Sequence, residues 1–128
     1  MYQKKRTQAE SVAPRHLELL GYSIVEQNWK VRSAEIDIVA SKNNTKQWFR
    51  KAEVELYFFE VKYRKSLSQG DGFDYITYTK LKQMRYAADV YMAGVSAKIF
   101  GLHLGAIQVG GEDCNEIKLL EDVSQLLE

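Results

Sequence analysis

Asp37, Glu60 and Lys62 are the residues of this chain whose types and spacing could do chemistry. Glu60 and Lys62 close the run "YFFEVKYRK" (57–65) and stand two residues apart. On a strand they share a face with Leu56 and Phe58, because strand side chains alternate with period two. An apolar face that turns charged at its end is either closing at a solvated edge or opening into a site. Asp37 lies in a second strand-like segment, "AEIDIVA" (34–40), and Glu10 stands near the first helix. If the segments around Asp37 and Glu60 pair as a hairpin, their carboxylates approach each other. Two hard oxygen ligands completed by water suit Mg²⁺ or Mn²⁺, and the backbone carbonyl of Val61 could add a third oxygen. Such an ion polarises a phosphate and lowers the pKa of a bound water. Lys62 would then orient or deprotonate that water and stabilise the growing negative charge.

The triplet Glu-x-Lys is weak evidence alone, and the sequence supplies its own control: Glu116, Ile117 and Lys118 repeat it just after Asp113. The plainer reading of Glu60 and Lys62 is an exposed pair at a strand end, contributing at most about 1 kcal/mol. His16 and His103 have no nucleophile beside them in sequence and read as packing or surface histidines. The fifteen aromatic residues read mostly as core, although an exposed Trp48 or Tyr63 could stack on unpaired bases.

The elements that must position this group are legible in the pattern. Ala9, Val12, Ala13, His16, Leu17 and Leu20 recur at helical spacing and Gly21 ends them, which predicts an amphipathic helix over 9–20. Pro14 is tolerated in a first turn capped by Ser11 but not deep in a helix, where it would clash with the carbonyl of Glu10. Whether Glu10 is helical is therefore open. "YSIVEQNWKV" (22–31) and "AEIDIVA" read as strands, the second with Ile36 and Ile38 on one face and Asp37 and Val39 on the other. "SKNN" reads as a turn. Residues 46–62 lead into a run that is apolar on both faces, the mark of a central, doubly covered strand. A polar, Gly-rich loop follows, then a helix over 76–94 with Thr77 as cap and Leu81, Met84, Ala88 and Tyr91 aligned. One or two strands over 97–109, a short strand "EIKLL" and an acidic terminal helix complete an α/β or α+β domain, a small mixed sheet flanked by helices.

Bulk properties set the bounds. The 128 residues fit one domain, residues 1–128, and one cysteine, Cys114, allows no internal disulfide and no Cys-based metal site. A reducing, cytoplasmic setting is expected. There is neither a signal-peptide pattern nor an apolar stretch long enough to span a bilayer. The net charge of +1 hides an asymmetry: residues 1–66 carry thirteen Lys or Arg against eight Asp or Glu, and residues 67–128 carry five against nine. The basic half, with Lys4, Lys5 and Arg6 as a solvated arm, permits a phosphate-bearing partner.

Taken in order, "AE" (9–10), "LELLGYSIVEQNW" (17–29), "AEIDIVA" (34–40), "FFEVKYR" (58–64) and "ITYTKLKQMRYAA" (76–88) resemble the YraN-like family of uncharacterised bacterial proteins over nearly the whole chain. That family in turn resembles restriction-endonuclease-like nucleases, Holliday-junction resolvases in particular. The resemblance implies a restriction-endonuclease-like core and a catalytic set of Glu10, Asp37, Glu60 and Lys62. It further implies Mg²⁺ as cofactor, Arg64 with its neighbour Lys65 and Lys80 as contacts to nucleic acid, DNA by preference, and a homodimer. Departures accompany it. Ala34 and Ala9 stand where the family has glycine, "NTKQWFRKAE" lengthens the hairpin between Asp37 and Glu60, and "LGAIQV" lacks a late-strand Asp. Three functions follow as expectations: a metal-dependent endonuclease acting on branched or structured DNA, a non-catalytic nucleic-acid-binding module on the same scaffold, or an interaction protein whose charged group is a surface network.

Overall fold

A computed structural model describes residues 2–43, 54–65, 72–95 and 101–123. The "NTKQWFRKAE" segment, the Gly-rich loop before Gly72, the start of the expected strand at 97–100 and the end of the expected terminal helix lie outside the described residues. Within them the order is α1 (Tyr2–Leu19), β1 (Ser23–Val31), β2 (Ala34–Asn43), β3 (Val54–Arg64), α2 (Tyr78–Ala93), β4 (Gly101–Gly110) and β5 (Glu116–Leu120). The five strands form one sheet in chain order. β1, β2 and β3 pair antiparallel, β3 and β4 parallel, β4 and β5 antiparallel, so the sheet is mixed and the fold is α+β.

Each helix covers one face. Ala13 and Leu17 of α1 pack with Ile38, Ala40, Tyr57, Phe59, Ile107 and Val109. Ala87 and Ala88 of α2 pack with Ile36, Val39, Leu56 and Phe58 on the opposite face. β3 is thus buried on both sides from Leu56 to Phe59, as its unbroken apolar run requires. α1 begins earlier than the pattern alone suggests and contains Glu10; Pro14 sits inside it, buried against the sheet, rather than in its first turn. Tertiary burial therefore outweighs the hydrogen bond that proline removes. Gly21, at φ 99°, ends the helix in a conformation that side chains resist. α2 follows expectation, with the Thr77 hydroxyl accepting a hydrogen bond from the Lys80 amide and Gly94 closing the other end.

Two expectations for β2 are corrected. "SKN" is strand, since Ser41, Lys42 and Asn43 pair with Leu56, Glu55 and Val54. Strict alternation also fails, because Ile36 joins Val39 on the α2 side while Ile38 and Ala40 face α1. The cause lies across the ladder. Gln27 pairs with Ile38 and Trp29 with Ile36, which sets Asn28 opposite Asp37, and Asn28 adopts a left-handed φ of 52°. A left-handed residue breaks the pleat, and asparagine tolerates that conformation better than most. The β2–β3 pairing ends at Ile38 and Phe59, so Asp37 lies beyond the regular ladder.

Candidate functional site

The break in the pleat opens a cleft of about 290 Å³ at the end of β3, lined by Glu10, Gln27, Asn28, Glu35, Asp37, Ile38 and the Glu60–Tyr63 segment. Four separate elements supply it. Glu10 comes from α1, Asn28 from β1, Asp37 from β2 and the Glu-Val-Lys triplet from β3. Where the antiparallel ladder would continue, the Asp37 side chain replaces a backbone acceptor: the Val61 amide donates to Asp37 Oδ2 at 2.8 Å. The Val61 amide thus ties β3 to Asp37, and Val61, considered from sequence through its carbonyl, lines the cleft.

Burial raises the Asp37 pKa to about 6, and the charges of Glu60 and Glu35 push in the same direction against the Val61 hydrogen bond and the Lys80 charge. Glu60 is half-buried, and its Oε1 meets the Lys80 ammonium at 3.0 Å. Lys80, expected as a contact to nucleic acid, is thus bound within the molecule. Lys62 is exposed, Lys65 is exposed and Arg64 is half-buried. The Lys62 ammonium lies 6.0 Å and the Arg64 guanidinium 5.4 Å from the centre of the Tyr75 ring, within reach of cation–π attraction.

A family model described as "Uncharacterised protein family UPF0102" matches residues 9–110. The chain belongs to UPF0102. Among UPF0102 proteins, one from Flavobacterium johnsoniae is 35% identical over 83 residues, 65% of this chain and 59% of the relative. Another from Cytophaga hutchinsonii is 32% identical over 93 residues, 73% and 74% of the two chains. A third, from Caldicellulosiruptor saccharolyticus, is 29% identical over 108 residues, 84% and 83%. The match spans about three fifths of the first of these relatives. The UPF0102 region takes in every residue of the expected site, from Glu10 to Lys80.

For a metal ion, the cleft of this UPF0102 chain offers two partly engaged carboxylates. Asp37 and Glu60 each have one oxygen occupied, by an amide and an ammonium, and a carboxylate has two. Two carboxylates completed by water fit Mg²⁺, which keeps much of its hydration. Glu10 lines the same cleft, yet among the described residues no three His, Cys, Asp or Glu side chains gather closely enough to hold an ion.

Tyr75 and Asn28 are the residues that sequence reasoning missed. The Tyr75 hydroxyl is buried with no hydrogen-bond partner among the described residues, and burial together with the Glu60 charge raises its pKa. Its segment is anchored from beneath by Gln108, which is 1% exposed and donates through Nε2 to the Gly72 carbonyl. A buried glutamine in the segment "LGAIQV" was a legible signal of a polar partner nearby. The second Glu-x-Lys triplet falls on β5, where Lys118 pairs with Gln108 on the strand ladder, away from the lining of the cleft. No helix among the described residues is long and apolar enough to cross a membrane.

Proposed function

We propose that this protein is a metal-dependent endonuclease that hydrolyses phosphodiester bonds in DNA, branched or structured DNA by preference. The supporting observation is that Glu10, Asp37, Glu60 and Lys62, far apart in sequence, line one cleft. Asp37 and Glu60 would hold Mg²⁺ or Mn²⁺, with Glu10 acting on its water shell. The ion, when bound, supplies charge to polarise the scissile phosphate and acidify a water. Burial has raised the Asp37 pKa to about 6, so its carboxylate becomes ionised and able to bind the ion as pH rises through that value. The exposed Lys62 ammonium donates hydrogen bonds toward a phosphate oxygen as negative charge accumulates there. Arg64 and Lys65 extend the positive surface beyond the strand end, and a homodimer would suit paired cuts on a two-fold substrate.

The test is nicking of a labelled four-way junction in Mg²⁺ and in Mn²⁺. Wild type should nick, and Lys62→Ala should lose at least about 100-fold in rate while still binding. A wild type that binds junctions without nicking in either ion would refute catalysis. It would support the second reading, a nucleic-acid-binding module without turnover, which the Lys80–Glu60 pair favours because it already neutralises one of the two acids.

A further inference from the structure

A second groove, about 360 Å³ in volume, runs from the cleft between the β1–β2 turn and α2. Glu35 and Glu60 line both, so the two adjoin. The groove carries Lys30 near the end of β1, Arg32 on the turn and Lys80 on the helix, with Glu35 and Glu60 among them. Lys80 is held by Glu60, as Lys42 is held by Glu121 and Arg85 by Asp89, at 3.0, 3.7 and 3.2 Å. The side chains of Lys30 and Arg32 are exposed and make no ion pair among the described residues. They stand on a tight hairpin in which Val31 pairs with Ala34, and the Tyr86 hydroxyl donates to Ser33 Oγ at 3.2 Å, fixing the turn to α2. Two exposed cations on a braced hairpin, with Glu35 opposite Lys30 on the ladder, form a preorganised surface for an external polyanion.

Position narrows what that polyanion is. Lys30 pairs with Glu35, two residues along β2 from Asp37, which is roughly 7 Å at strand rise. That is about one phosphate-to-phosphate step along a single strand. We propose that this groove carries the DNA strand that passes through the cleft, with Lys30 and Arg32 as contacts to phosphates flanking the scissile linkage. This inference rests on the endonuclease reading for its substrate, and it adds a direction for the strand and two residues.

Junction affinity measured by fluorescence anisotropy across a series of NaCl concentrations separates the two ideas. Each phosphate contact contributes about 0.7 to 0.9 to the slope of log affinity against log salt, so Lys30→Ala/Arg32→Ala should reduce that slope by about 1.4 to 1.8. Lys82→Ala/Arg85→Ala removes equal charge from residues outside both grooves and should leave it unchanged. An unaltered slope in the first variant while wild type binds and nicks would overturn the groove assignment alone. A reduced slope with wild type that never nicks would support the groove and overturn catalysis. Wild type that binds no junction DNA at any salt would overturn both. Circular dichroism of both double variants confirms that each is folded, and exposed turn and helix positions give little reason for either to fail.

Discussion

Asp37 carries a charge that its surroundings oppose. Its folded-state pKa of about 6 stands above the ordinary 3.8, with burial as the largest cause. Such a shift favours the folded state fully below the unfolded pKa, and that advantage is lost as pH rises through about 6. At pH 8 an ionised Asp37 therefore burdens the fold, by about 2 to 3 kcal/mol on that shift. An asparagine in its place would keep an acceptor for the Val61 amide and remove the charge. We expect Asp37→Asn to raise the urea midpoint at pH 8 by about 2 kcal/mol equivalent and to give little gain at pH 4. Equal effects at both pH values would contradict the electrostatic cause. A strongly perturbed carboxylate in a cleft is what marks a candidate site. Glu10, Asp37, Glu60 and Lys62 were legible before any fold was known, because acids and an amine beside apolar runs are conspicuous. Tyr75 was not, since one tyrosine among eight carries no sign that two cations will lie over its ring. Lys80 was legible as a cation, but its partner was not, because the Glu60 contact joins a strand to a helix across twenty residues of sequence.

Elements were read well where periodicity is strong and poorly where a single residue interrupts it. β3 and α2 show their burial in the order of their residues. β2 misleads, because its face changes at Asp37, and the reason, a left-handed Asn28, sits on another strand. α1 misleads in a second way, since Pro14 suggests a start that burial against the sheet overrides. The parallel pairing of β3 with β4 imposes a further local demand. Gly105 faces Phe59 across that pair, and an added Cβ would come within 2.5 Å of the Phe59 ring and 2.8 Å of the Leu120 carbonyl. Both neighbours are held, Phe59 in a buried stack and Leu120 in backbone. Gly105→Ala should therefore destabilise by about 1 to 3 kcal/mol through overpacking. Its thermal midpoint, measured beside that of Gly94→Ala, whose Cβ would meet only ordinary contact, checks this: equal losses would show that conformational freedom, and not the Phe59 clash, is what glycine supplies.

At the scale of the whole molecule the sheet has two charged ends with opposite tasks. The cleft end leaves charges incompletely paired, while the far end, where β3 and β4 begin, closes them into a network. His103 on β4 bridges two carboxylates there, with Nε2 2.9 Å from Glu55 Oε1 on β3 and Nδ1 2.8 Å from Asp122 Oδ2 after β5. Its ring stacks on Tyr57 at 4.4 Å, and Tyr22 beside it donates to Glu121. His103 is thus a clamp between strands, a more specific role than the packing or surface histidine expected from sequence. Burial lowers its pKa, but the hydrogen bonds and charges of Asp122 and Glu55 outweigh burial, and the net shift is upward. A raised folded-state pKa means that the clamp stabilises fully below the unfolded value of about 6.5 and weakens as pH rises through the folded value. Two titrations of opposite location, Asp37 and His103, therefore both favour the fold on the acidic side, and they separate by mutation. His103→Gln keeps polar contacts with the carboxylates and removes the charge, so urea denaturation from about pH 5.5 to 9 should show a large loss at the acid end that shrinks toward the alkaline end. A loss independent of pH would mean that the imidazole acts by packing on Tyr57, and the two ends of the sheet would then differ in shape rather than in charge.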